Sequence, residues 1–191
     1  MASPTSTALL PQVDWVPPEA FGFPARLGLT CVPGGWREGS RPDRNHQLRD
    51  DLHAFATVHA AHVLVTLLEP HEIAQRLGPG FASRVRGAGL VPVGFPIADC
   101  WVPSSMDATL ALVAGLVAHL RAGRTLIVHC LAGLGRTGTI AACCLVACGR
   151  PPGRAIEVVR GARPGAIQTE AQAQFVAQFA EAWWRPQASA R

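Results

Sequence analysis

The chain has 191 residues, 49% of them apolar and 16% charged, enough for one α/β domain with a proper core and too few for two. Its net charge of +4 favours anionic ligands, yet the arginines are scattered and no basic run with interleaved aromatics occurs, which argues against nucleic acid as a partner. No stretch is long and apolar enough to span a bilayer, and there is no basic, apolar, small-residue leader at the start, so a cytoplasmic protein without a membrane partner is expected. All 17 basic residues are arginine, a bias that points to a GC-rich bacterial genome.

In chain order, residues 1–25 are rich in Pro, Ser and Thr and read as an irregular arm, with Trp15 and Phe21 as packing anchors and the first ten residues mobile. RLGLTCV (26–32) reads as a strand ending at Pro33-Gly34-Gly35. From 43 to about 59, Leu48, Leu52, Phe55 and Val58 recur at helical spacing. HVLVTLL (62–68) is the short continuous apolar run of a strand covered on both faces, and Glu69-Pro70 opens a helix through Leu77. LVPVGFPI (90–97) is extended, with prolines that suit an edge or a loop entry. An apolar helix over 106–121 is closed by Gly123, and RTLIVHC (124–130) is the clearest buried strand. A Gly-punctuated turn follows, then helices from about Thr137 to Cys148, from Pro151 to about Gly161, and from Thr169 to Trp184. The expected fold is therefore α/β, a single three-layer αβα domain over 26–185 with a central, mainly parallel sheet and a tail at 186–191. In such folds ligands sit at the C-terminal ends of the strands.

Six cysteines, at 31, 100, 130, 143, 144 and 148, form no C-x-x-C pair and match no histidine pattern, so a structural zinc site is not expected. In a cytosol they are thiols, and the surroundings of each decide its chemistry. Cys130 ends the clearest strand, Arg136 follows six positions later, and a helix begins at once. A loop of that length closing on a helix N-terminus turns successive N–H groups inward as an anion nest, here the amides of Leu131, Ala132, Gly133, Leu134, Gly135 and Arg136. Gly133, Gly135 and Gly138 permit the backbone conformations and close approach such a cradle needs. The same positive field favours Cys130 as thiolate, the form that attacks. Arg136 offers a planar fork for two phosphate oxygens. Thr137 is placed to donate its hydroxyl to the sulfur, and His129 orders the loop from behind. A strand-turn-helix junction with incidental Cys and Arg would leave the preceding His, the three glycines and the Thr without a purpose.

HCLAGLGRTGT, in which these residues lie, resembles the phosphate-binding loop of the protein tyrosine phosphatase superfamily. LGLTCVPG (27–34), PIAD (96–99), HCLAGLGR (129–136) and GAIQT (165–169) occur in the same order and at similar spacing as in dual-specificity phosphatases of the kinase-associated, cyclin-dependent kinase inhibitor type, over about residues 15–183. The resemblance implies a cysteine-phosphatase fold and hydrolysis of phosphorylated protein side chains through a cysteinyl-phosphate. It implies no metal or other cofactor, and it leaves the oligomeric state open.

Expelling an alkoxide or phenoxide needs a proton donor, and the resemblance places the family's mobile acid loop at Pro96-Ile97-Ala98-Asp99. Asp99 is the candidate acid, the bland alternative being a surface or capping residue. Asp107 suits the first turn of the following helix better. GAIQTEAQ resembles the glutamine loop of tyrosine phosphatases, which implies that Gln168 positions the hydrolytic water with Gln172 as helper; on residue type alone each is a polar surface residue. Arg160 and Arg163 read as solvated helix-end charges or as pocket rim. Cys100 stands where the family has glycine, and offers a thiol that could capture an oxidised Cys130. Cys143, Cys144 and Cys148 read as small core residues. Ala132 and Leu134, where lipid-selective relatives tend to carry lysine, favour phosphoprotein, with phosphotyrosine and phosphoserine/threonine both accepted. The competing readings are a rhodanese-like sulfurtransferase or arsenate reductase, whose loops or cysteine positions differ, and a non-catalytic phospho-binding module, which typically lacks the cysteine or the acid.

Overall fold

The computed structural model describes residues 10–35 and 44–185. The expected mobile start falls outside them except for Leu10, as do the helix start at 43 and the tail at 186–191. Five strands form one sheet: β1 (Asp14–Trp15), β2 (Arg26–Thr30), β3 (Val63–Thr66), β4 (Val91–Gly94) and β5 (Thr125–His129), in the order β1-β2-β5-β3-β4. All neighbours are parallel except the short β1, which runs antiparallel to β2. β5 lies at the centre because Leu126, Ile127 and Val128 are fully buried, as a strand flanked by strands and covered on both faces requires. Pro92 falls on the edge strand β4, where a missing N–H leaves no ladder bond unmade.

The helices are α1 (Arg44–Thr57), α2 (Pro70–Arg76), α3 (Phe81–Gly87), α4 (Met106–Arg121), α5 (Gly135–Ala147), α6 (Pro152–Ala162) and α7 (Glu170–Trp184). α5 is buried from Gly135 to Val146, which is why its sequence is apolar all round; it packs on β2 and β5 and is covered by α4, α6 and α7. Cys143 and Cys144 lie inside it as core residues, and burial pushes both thiols up. Among the described residues no helix is long and apolar enough to cross a membrane, and no group of three or more His, Cys, Asp or Glu could hold a metal ion.

Two sequence expectations need correction, and one helix was not anticipated. The arm is not wholly irregular: Asp14 and Trp15 pair with Leu29 and Gly28, and residues Pro18–Ala20 make a 3-10 turn. The segment after Leu77 contains α3, a single short helix whose flanking glycines mask its periodicity. α5 begins at Gly135 rather than Thr137, so Arg136 already stands in its first turn.

Gly28 shows how the arm is held. A Cβ there would lie 2.4 Å from Val13 Cγ1 and 3.1 Å from the Trp15 ring, whereas one on Gly94 in β4 would meet nothing. Gly28→Val should therefore displace the arm and cost about 1–3 kcal/mol in urea denaturation, with Gly94→Ala near neutral; equal effects at both positions would show that the arm does not pack as described.

Candidate active site

At the carboxyl end of β5, three chain crossings meet. Cys130 follows the strand, buried at 3% exposure, and accepts a hydrogen bond at its sulfur from the Gly133 amide at 3.3 Å. The loop then turns into α5 at Leu134, whose carbonyl accepts from Gly138 and, across the chain, from Ile167. The first N–H groups of α5 have no carbonyl partner inside the helix, so they face the sulfur end of the loop as donors for an anion. Gly133 has φ +73°, and a Cβ on it would stand 2.1 Å from the Thr30 carbonyl oxygen, so only glycine fits. Val32 donates to the Leu131 carbonyl at 3.0 Å, tying the loop to the end of β2.

Arg136 is buried, at 1% exposure, and its guanidinium is held on all sides. Nη1 donates to Glu72 Oε2 at 2.6 Å and to the Ile97 carbonyl at 3.0 Å; Nη2 donates to Glu72 Oε1 at 3.0 Å and lies 2.8 Å from Asp99 Oδ1. Burial disfavours the Arg136 cation, but the Glu72 hydrogen bonds and the negative charges of Cys130, Glu72 and Asp99 outweigh it and raise its pKa. Burial likewise works against the Glu72 carboxylate, yet the Arg136 hydrogen bond, the Glu69 amide and the arginine charge bring its pKa below the ordinary value. Glu72 also accepts the Glu69 amide at 2.9 Å, closing a capping box on α2. Sequence reasoning passed over Glu72. The Glu69-Pro70-x-Glu72 pattern signals a capping box, but not that the same carboxylate crosses to a residue 64 positions away.

Asp99 lies on the loop that follows β4, with a largely exposed side chain, and its Oδ1 also accepts the Cys100 amide at 3.0 Å. Cys100 has φ +58°, a left-handed conformation that glycine adopts without strain. Behind the loop His129 is wholly buried. Its Nδ1 faces the Cys130 carbonyl at 3.2 Å, which can only accept, so Nδ1 carries the proton and Nε2 accepts from Thr66 Oγ1 at 2.9 Å. Burial lowers its pKa to about 4, with the Cys130 carbonyl opposing and the Arg136 charge assisting, and the ring is neutral near pH 7.

The other expected residues divide. Thr137 is buried, but its hydroxyl makes no hydrogen bond among the described residues, so the expected bond to the sulfur is not formed; the Gly133 amide takes that place. Gln168 is exposed, with its Oε1 over the first turn of α5, 2.8 Å from where a Gly135 Cβ would stand. Gln172 is wholly buried and committed: Oε1 accepts from the Gln168 and Thr169 amides, and Nε2 donates to the Trp101 carbonyl at 3.1 Å. It thereby joins the glutamine segment to the Asp99 loop. Arg160 is an exposed helix-end charge and Arg163 is half-buried, and both also hold backbone carbonyls. Arg160 donates to the Ala166 and Ile167 carbonyls, and Arg163 to the Ala132 carbonyl and to Asp14 on the arm.

Comparison with known proteins agrees with this geometry. The family model described as Tc-R-P, a polymorphic toxin system DSP-PTPase phosphatase, matches residues 39–150, a span that holds Glu72, Asp99, Cys130 and Arg136. Cyclin-dependent kinase inhibitor 3 of Rattus norvegicus is 28% identical over 171 residues, covering 88% of this chain and 78% of its own length. Protein tyrosine phosphatase domain-containing protein 1 of Mus musculus is 42% identical over 79 residues, 41% of this chain; the match spans only 10% of that relative. The crystal structure of a kinase associated phosphatase, with serine replacing its catalytic-site cysteine, superimposes with a TM-score of 0.79 at 22% identity over 92% of this chain and 97% of that one, a likeness of fold.

Removing one partner of a buried ion pair strands the other. Glu72→Ala should lower stability by about 3 kcal/mol, and hydrolysis should fall by at least about tenfold because Arg136 loses its fixed orientation. Unchanged kinetics in the folded variant would show that Arg136 orients without Glu72. His129 sets a pH dependence. Its folded pKa of about 4 lies below the ordinary 6.5, so between those values the unfolded chain binds the extra proton and stability falls as pH falls, by up to about 1.4 kcal/mol per pH unit. Urea midpoints from pH 7 to pH 4 should drop less steeply for His129→Gln than for wild type, and parallel slopes would remove His129 as the cause.

Proposed function

Since this chain belongs to the DSP-PTPase phosphatase family of polymorphic toxin systems, we propose that it hydrolyses phosphate monoesters on phosphotyrosine and phosphoserine/threonine side chains of proteins through a cysteinyl-phosphate. The observation that supports this most directly is the grouping of a buried Cys130, whose sulfur already accepts the Gly133 amide, with Arg136 and an Asp99 carboxylate 2.8 Å from that arginine.

In this mechanism the phosphate enters the nest of the 131–136 amides and takes Arg136 Nη2 from Asp99. Asp99, released from Arg136, takes up a proton from solvent; the Cys130 thiolate then attacks phosphorus and forms the S–P bond while the P–O bond to the side chain breaks, and Asp99 gives that proton to the departing oxygen. Water, oriented by Gln168, then attacks phosphorus; Asp99 takes its proton, the P–S bond breaks, and inorganic phosphate leaves with the thiolate restored. Thr137, unpartnered and in the first turn of α5, is positioned to turn its hydroxyl to the sulfur as that bond breaks. His129 and Gln172 act as positioning residues, the first for the loop backbone, the second for the Trp101 carbonyl. The positive charge facing the phosphoryl oxygens comes from Arg136 and the backbone amides, so no metal ion or other cofactor takes part.

Hydrolysis of an aryl phosphate in reducing buffer with EDTA tests the reading. Wild type should turn over, Cys130→Ser should not, and Asp99→Ala should be slower by about 10²-fold. An inert wild type, or an active Cys130→Ser, would defeat it in favour of a binding module or a sulfurtransferase. Phosphotyrosine and phosphothreonine peptides should both be substrates, and strict selectivity for one would refute the dual preference.

A further inference from the structure

Beside the catalytic loop opens a cleft of about 220 Å³ lined by the 31–35 turn, Leu131 and Arg76. Leu131 is the residue next to Cys130, so the cleft adjoins the mouth of the site. Arg76 is the last residue of α2 and stands four positions after Glu72, hence on the same face and one turn, about 5.4 Å, further along. The carboxylate at 72 is already neutralised by Arg136, so it does not hold Arg76. Arg76 is exposed and has no hydrogen-bond or ion-pair partner among the described residues. In that it differs from the other arginines around the site: Arg136, Arg160 and Arg163 are each bound to carboxylates or carbonyls.

The rest of the cleft does not compete for the guanidinium. The Gly34 amide donates to Asp51, which is buried and does not line the cleft, at 2.8 Å, and the Gly35 amide donates to the Val32 carbonyl. Among the described residues Arg76 is the only charged side chain lining the groove, next to the nucleophile's neighbour. An extended peptide advances about 3.3 Å per residue, so a phosphorylated residue seated over Cys130 brings residues two or three positions away into reach of the groove.

We infer that Arg76 and this cleft form a second anion subsite, which holds a carboxylate or a second phosphate carried on a residue flanking the one dephosphorylated. The inference rests on the phosphatase reading above and names the substrate class for it: acidic or doubly phosphorylated peptides. The guanidinium fork suits both groups, and solvent exposure limits the gain to about two- to fivefold in kcat/KM.

Three phosphopeptides matched except for the flanking position, carrying Ala, Glu or a second phosphorylated residue there, distinguish the two sources of negative charge. Wild type should prefer the Glu or the doubly phosphorylated peptide by about two- to fivefold, mainly through KM, and the preference should shrink with added salt. Arg76→Ala should abolish the preference and Arg76→Glu should reverse it, while aryl phosphate kinetics stay unchanged in both. A preference that survives Arg76→Ala, or wild type that does not discriminate, overturns the subsite. Should wild type fail on aryl phosphate altogether, the phosphatase reading falls on its own. Anisotropy with the same peptides bound to Cys130→Ser then judges the subsite separately: Arg76-dependent selectivity upholds it, and indifference to Arg76 removes it.

Discussion

The site depends on a buried guanidinium that is never left unpaired. Arg136 sits at 1% exposure in the first turn of an apolar helix, where an uncompensated cation would cost several kcal/mol. Glu72 meets it with both oxygens, and the Ile97 carbonyl takes a further N–H. These contacts come from α2 and from the chain leading into the acid loop, on the far side of the sheet order from β2. One ion pair therefore fixes the arginine fork, anchors α2 by its N-terminal turn, and sets the approach of the Asp99 segment.

The remaining contacts around the loop have a common pattern: long polar side chains from later in the chain hold backbone carbonyls of the site in place. Arg163 reaches the Ala132 carbonyl and the arm, Arg160 the carbonyls of Ala166 and Ile167, and Gln172 the Trp101 carbonyl. Each satisfies a main-chain group that the irregular backbone of a loop would otherwise leave without a partner. His129 does the same from beneath, and because burial keeps it neutral it adds no second cation to compete with Arg136. The glycines serve the same close packing. Gly133 lets the loop pass against the Thr30 carbonyl, and Gly135 leaves room for the two glutamine amides over α5.

This arrangement also separates the cysteines. Cys143 and Cys144 lie in the middle of α5, where burial raises their pKa and makes them inert packing residues. Cys130, in the loop before α5, faces loop amides and the arginine instead. Residue type is shared; the field around the sulfur is not.

The order of strands and helices, apart from β1 and α3, was legible in the sequence because burial on both faces leaves apolar runs such as 62–68 and 124–130, and because glycines and prolines mark where those runs end. So was the loop from His129 to Gly138, since the residues of a phosphate cradle are contiguous and their spacing is their function. What local pattern could not show was anything joined across the chain. β1 is two residues long and exists only through its pairing with β2. Glu72 looks like a capping residue until the fold brings it to Arg136, 64 positions away. Gln172, Arg160 and Arg163 are ordinary polar side chains in sequence, and became braces only when packing set unpaired carbonyls beside them. Periodicity and loop chemistry are properties of neighbours along the chain; the partners that orient the arginine and the loops are chosen by which buried polar groups the closed fold leaves to be satisfied.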